Sequence, residues 1–218
     1  MGYNRKSLQN KRILITCGPT WVRIDPVRVI SNISSGELAH EIARRLTNEK
    51  ANVTLLEGPV THQSKGIAKK TLSFKYFNEL KKLLKQHLRQ SHYDIVIHAA
   101  AVSDYQIKNV SAKKIKSSLS RLDLCLTKTP KLISQIKKID PKTFLVGFKL
   151  ETNTSQKMLL QKAKNLIAET KCDLVIANTL NKNDYRAYVI NKAGNILSHE
   201  TSRKEIAESL IKALKENL

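Results

Sequence analysis

Five short apolar runs restrict what this chain can fold into: "ILITC" (13–17), "VTLL" (53–56), "IVIHAAA" (95–101), "FLVGF" (144–148) and "LVIA" (174–177). Each is too short for a buried helix. None alternates with polar residues, so both faces of each strand must be covered. Helical periodicity fills the gaps between them. It is read over Ser35–Leu46, over 74–90 with Phe77, Leu80, Leu84 and Leu88 in phase, over 130–138, and around Leu159, Ala163, Leu166 and Ile167. Strand, helix, strand in repetition gives an α/β fold: a Rossmann-like, mostly parallel sheet with helices on both faces. "KTLSF" and "LDLCLTK" read as further short strands. "AYVI" and "NILSH" flank Asn191–Gly194 as a C-terminal antiparallel hairpin. A last helix starts near Ser202, where Ser202 and Glu205 form a capping box, and it buries Ile206, Leu210 and Leu214.

No linker or repeat divides the 218 residues, so residues 1–218 read as one domain, with 1–10 a flexible basic arm. No apolar run suits a bilayer or a signal peptide, and the expectation is a cytoplasmic protein without membrane partners. Cys17, Cys125 and Cys172 lie in apolar, strand-like context and read as reduced, buried thiols. None of the six histidines has ligand spacing to a cysteine or a second histidine, so no protein-held metal is expected. The excess of 39 Lys+Arg over 18 Asp+Glu gives +21 and attracts polyanions. Only 5% of residues are aromatic and the basic runs lack them, which counts against a stacking surface for nucleic acid.

Ligands of parallel sheets bind beyond the carboxyl ends of the strands, which directs attention to 17–36, 98–116, 148–153 and 177–185. The first loop, "CGPTWVRIDPVRVISNISSG", holds no dinucleotide fingerprint and no phosphate-loop pattern. Ser34 and Glu37 satisfy a capping box, so the helix N-terminus beyond them faces the loop and favours an anion. Capping alone explains Ser34; it does not explain Asp25, Arg28, Ser31 and Asn32 in the same loop, and both readings stand. "HAAAVSDY" (98–105) offers small residues at a strand end, suited either to a ligand ring or to close packing, with Asp104 beyond them. Lys108, Lys113, Lys114 and Lys116 form a basic loop at the same edge, suited to phosphate oxygens or to solvent.

In order and spacing, "ILITCGPTWVRIDPVRVISNISSG", "ANVTLLEGPV", "HAAAVSDYQIKNVSAKKIK", "LTKTPKLI", "VGFKLETN" and "CDLVIAN" resemble the phosphopantothenate–cysteine ligase family in its stand-alone form. The resemblance implies a step of coenzyme A biosynthesis. The carboxylate of 4′-phosphopantothenate would attack CTP or ATP, pyrophosphate would leave, and the amine of L-cysteine would take the acyl group from the nucleotide. Mg2+ would arrive on the triphosphate. The resemblance places Asn32 and Lys114 in catalysis, and Arg28, Asn32, Ser34, Ser35 and Gly36 on the acid substrate. It places Ala99, Ala100, Asp104, Lys114, Lys131, Leu132, Ile133, Phe148 and Lys162 on the nucleotide. It also implies a homodimer and a separate phosphopantothenoylcysteine decarboxylase acting on the product. The chain departs from the bacterial pattern where Glu37-Leu38-Ala39 replaces Lys-Met-Gly, and "GFKLET" leans toward the eukaryotic form. The competing readings are a degenerate relative that binds nucleotide without turnover and a basic nucleic-acid-binding α/β protein.

Overall fold

The computed structural model describes residues 6–61, 66–181 and 184–218. The first half of the chain contributes β1 (Arg12–Cys17), β2 (Trp21–Arg23), β3 (Val29–Ser31), α1 (Glu37–Asn48), β4 (Asn52–Glu57), β5 (Lys70–Ser73), α2 (Phe77–Gln90) and β6 (Ile95–His98). The second half contributes β7 (Tyr105–Ile107), β8 (Leu126–Lys128), α3 (Ile133–Ile139), β9 (Phe144–Glu151), α4 (Gln156–Thr170), β10 (Leu174–Asn181), β11 (Asp184–Asn191), β12 (Ile196–Glu200) and α5 (Arg203–Asn217). One eight-stranded sheet runs β12-β11-β10-β9-β6-β1-β4-β5. From β5 to β10 every neighbouring pair is parallel, while β11 and β12 are antiparallel. The parallel part grows outward from β1 in both directions, the doubly wound order.

The alternation of side chains along each strand divides the core in two. Ile13, Ile15, Val53, Leu55, Ile95 and Ile97 meet α1 and α5 on one face. Leu14, Leu56, Val96, Leu145 and Val175 meet α2, α3 and α4 on the other. The expected contacts of α5 form: Ile206, Leu210 and Leu214 are each 0% exposed, worth about 1.5–3 kcal/mol apiece. Its expected cap forms as well, with Ser202 Oγ accepting from Glu205 N–H at 3.2 Å.

Four expectations change. Residues 6–10 are not a free arm: Leu8 is 0% exposed within the α1/α5 core, and Lys6 N–H donates to Lys215 C=O at 3.2 Å. Residues 1–5 lie outside the described residues. The N-cap of α1 is Gly36 in the left-handed region rather than Ser34, and no side chain caps it. Cys125 is exposed, because only Leu126–Lys128 of its run pair, as an edge ribbon with β7 away from the main sheet. The 177–185 segment is no open loop, since β10 and β11 continue as a hairpin through most of it.

Candidate functional site

The doubly wound sheet reverses direction between β1 and β6, whose carboxyl ends are Cys17 and His98. A cavity of about 750 Å³ opens at this point, within the size range of small-molecule sites. Ser34, Ser35 and Gly36 line one side. Ala99, Ala100, Asp104, Lys131, Leu132, Ile133, Phe148 and Lys162 line the other. Eleven of the fourteen residues singled out in the sequence therefore share one cavity; Arg28, Asn32 and Lys114 do not line it.

Hydrogen bonds hold two of them, Asn32 and Arg28. The Asn32 amide donates to the Ala101 carbonyl at 3.2 Å, joining the β3–α1 loop to the end of β6. Arg28 donates to the Ile115 carbonyl at 2.7 Å. The anchor beneath them is Asp25, 1% exposed, whose carboxylate accepts from Val27 N–H (2.9 Å), Arg28 N–H (2.9 Å) and Ile115 N–H (3.1 Å). Burial disfavours its charge. The backbone donors and the Arg28 guanidinium outweigh that and hold its pKa below the ordinary carboxylate value. Asp25 thus clamps the turn before β3 to the basic segment, so the "DPVR" stretch is a loop staple. Lys114 itself is exposed, next to the clamped Ile115.

At the β6 end, Ala101 N–H donates to Gly18 C=O at 2.9 Å and Ser103 N–H to Thr20 Oγ1 at 2.9 Å, lacing the strand exit to the first loop. Thr16 Oγ1 accepts from Ala100 N–H at 3.1 Å and shares a hydrogen bond with His98 Nδ1, 3.0 Å away. Burial alone lowers the His98 pKa to about 4, and its ring is neutral at pH 7.

The cations of the cavity are balanced by carboxylates. Lys131 pairs with Asp104. Glu151 accepts from Lys162 at 2.6 Å and pairs with Lys149 at 3.0 Å. Arg203, at the start of α5, stands 3.5 Å from Glu37 and over the Tyr185 ring. Glu37, the residue that departs from the bacterial pattern, is thus turned toward Arg203 instead of neutralising the helix end alone.

Arg203, Tyr185, Glu151 and His98 line the cavity and were not singled out in the sequence. They come from α5, β11, β9 and β6. Only the strand-end position of His98 and Glu151 marked them locally. A second grouping was also invisible in the spacing: Cys17, His40 and Glu57 present ligand-type atoms within 4.8 Å of one another. A separate recess of about 720 Å³, lined by Lys137, Lys164, Lys171 and Lys192 among others, lies by the α4 C-terminus and the β11–β12 turn and contains none of the expected residues.

Fold and site together define a doubly wound α/β domain with a small-ligand cavity at its switch point and no glycine fingerprint for a dinucleotide. The chain belongs to the family described as the DNA/pantothenate metabolism flavoprotein C-terminal domain, whose model matches residues 8–218. It is 40% identical over 175 residues to the coenzyme A biosynthesis bifunctional protein CoaBC of Thermococcus kodakarensis, covering 80% of this chain and 43% of that one. It is 32% identical over 221 residues to the protein of the same description from Borreliella burgdorferi, covering 97% of this chain and 54% of that one. The chain therefore spans about half the length of these curated relatives. Among solved structures, the DNA/pantothenate metabolism flavoprotein from Streptococcus pneumoniae superposes with a TM-score of 0.82 at 26% identity, over 94% of this chain and 98% of that one. The C-terminal domain of a CoaBC superposes with a TM-score of 0.77 at 28% identity, over 96% of both chains.

Proposed function

We propose that this domain is a phosphopantothenate–cysteine ligase, joining 4′-phosphopantothenate and L-cysteine through an acyl-nucleotidylate formed from CTP or ATP. Membership of a pantothenate-metabolism family supports this reading, as do relatives named for coenzyme A biosynthesis. The observation that carries it is the single cavity bordered on one side by the Ser34–Gly36 loop and on the other by Ala99, Ala100, Asp104, Lys131–Ile133 and Phe148. An activated acid and its nucleotide fit such a place side by side, with the acyl phosphate at the seam between the two walls.

In this reading Phe148 and the small residues of the β6 exit receive the base and ribose. Lys131 and Lys162 leave Asp104 and Glu151 for phosphate oxygens, and Lys114 reaches the triphosphate from the rim. Mg2+ comes in on the triphosphate oxygens. Asp104 and Glu151 are the carboxylates placed to meet it, consistent with a cation that keeps most of its water and substrate ligands. The Asn32 amide exchanges the Ala101 carbonyl for the acyl oxygen, whose negative charge grows as the cysteine amine attacks. Arg28, Ser34, Ser35 and Gly36 hold the acid substrate. The proton lost by the amine passes to solvent.

The same reading makes the protein a cytoplasmic homodimer whose product passes to phosphopantothenoylcysteine decarboxylation. No helix among the described residues is long and apolar enough to cross a membrane. Product formation tests the proposal: protein, 4′-phosphopantothenate, cysteine and Mg2+ are mixed with CTP or ATP in separate tubes and read by mass spectrometry. A new amide mass with one nucleotide is the expected result. Folded protein that gives no amide and no pyrophosphate with either nucleotide overturns it.

A further inference from the structure

We propose that Cys17, His40 and Glu57 form a binding site for a thiophilic divalent cation of the Zn2+ type, beneath the loop that closes the cavity. Cys17 and Glu57 end β1 and β4, and they are direct partners in the parallel register, so both side chains leave the same face of the sheet. That face carries α1, whose first turn brings His40 onto them: its Nε2 donates to Glu57 Oε1 at 2.7 Å. The three ligand-type atoms lie within 4.8 Å of one another. Cys17 is 0% and Glu57 4% exposed, and the His40 side chain is 13% exposed.

The chemistry of the set points to the metal. Sulfur, nitrogen and oxygen donors together suit Zn2+ or Co2+ and do not suit Mg2+ or Ca2+. One thiolate and one carboxylate balance a double positive charge, the Cys17 thiol losing its proton to solvent as the metal binds. Zinc bonds of about 2.0–2.3 Å place tetrahedral ligand atoms roughly 3.3–3.8 Å apart. The His40–Glu57 contact opens by about 1 Å and the thiol closes in, within the reach of side-chain rotation. The Gly36 carbonyl, 3.6 Å from the thiol, borders the cluster. A bound ion therefore ties the ends of β1 and β4 to the first turn of α1 and fixes the Ser34–Gly36 loop above them. This is metal binding by the folded chain and is independent of whether the cavity joins acid to amine.

The test is titration of the full, reduced protein with Co2+, reading the thiolate-to-cobalt charge-transfer band in the near ultraviolet. One equivalent per chain is expected, displaced by Zn2+, and Zn2+ is expected to raise the melting temperature reversibly with chelator. Cys17→Ser, His40→Gln and Glu57→Gln should each weaken binding by more than about 100-fold, the upper end for losing an outer-shell contact. Cys125→Ser, at the exposed thiol, should leave the band intact. Wild-type protein that gives no thiolate band and no Zn2+-dependent melting shift overturns the proposal. So does a band that survives Cys17→Ser.

Discussion

Asn32 and His98 sit on opposite sides of the β6 exit and show how much a single side chain determines here. The Asn32 amide spends its hydrogen bond on the Ala101 carbonyl, 3.2 Å away, so it is positioned without being committed to a ligand. Asn32→Asp replaces a donor by a carboxylate facing that carbonyl. The expected outcome is nucleotide binding within about threefold of wild type, while amide formation falls about 100–1,000-fold, the loss typical of one oxyanion donor. Calorimetry with nucleotide and mass detection of product check the two halves, and unchanged product formation removes Asn32 from the chemistry. His98 makes a pH prediction. Its folded-state pKa of about 4 lies below the ordinary 6.5, so the unfolded chain takes up the proton first as pH falls. Stability from keeping this ring neutral is fully present above about pH 6.5 and is lost progressively toward pH 4. The total is about 3 kcal/mol for a gap of this size. His98→Gln should melt with a shallower pH dependence than wild type across that window. Equal slopes mean that the ring is hydrated in the folded protein.

At the level of elements, the turn into α1 combines a left-handed backbone with close packing. Gly36 has φ +76°, and a Cβ there would stand 2.8 Å from Cys17 Sγ and 2.9 Å from Val60 Cγ1. Gly66 has φ +75° and nothing within 4 Å of its Cβ position. Both Ala variants meet the backbone cost of about 1–2 kcal/mol; only Gly36→Ala adds the clash. Gly36→Ala should therefore lower the melting temperature by more than Gly66→Ala, whose loss should be about 2–8 °C, and should also impair binding of the acid substrate. Equal losses in both would show that the loop yields around the new methyl. This turn also marks where the sequence stops being readable. The buried strands and the α2 and α5 stripes were legible because period and apolarity are local properties. Ser34-x-x-Glu37 looks like a cap in sequence, yet Gly36 takes the N-cap position and Ser35 Oγ accepts from Glu37 N–H at 3.4 Å instead. The β2–β3 ribbon and β7 have three-residue strands, too short for a period to register, whereas β8 falls inside the run read as a strand. The cavity walls that resemble a known family were legible through that resemblance. Arg203 was not, because a residue at the start of the last helix reaches the site only through the packing of α5 beside α1 on one face of the sheet. Cys17, His40 and Glu57 were not, because strand register and helix packing, rather than spacing, bring them together.

The whole molecule combines +21 charge with an apolar surface on the same flank as the site. Val27, Val29, Ile30 and Ile33 around the β2–β3 ribbon are 64%, 37%, 40% and 105% exposed, and Tyr105 and Leu126 on the β7–β8 ribbon are 53% and 46% exposed. Neither ribbon belongs to the main sheet, and neither buries these side chains within its own chain. A contiguous apolar surface of this kind is costly on a highly soluble monomer and marks an interaction face. A second copy is the partner that the proposed homodimer supplies. Its geometry must be self-complementary, since a two-fold interface uses the same patch on both sides. Two highly basic copies repel, so association gains from apolar burial and loses to charge. Salt screens the second term over about 8–10 Å at 0.1–0.15 M and leaves the first largely intact. Light scattering should therefore find a dimer that tightens as salt rises, the reverse of what phosphate-driven nucleic-acid binding does. Ile33→Asp adds a charge at a fully exposed side chain that also borders the cavity. It should shift the protein to monomer with its melting curve preserved at matched monomer population. A dimer that survives Ile33→Asp, or one that dissociates as salt rises, places the interface on some other face.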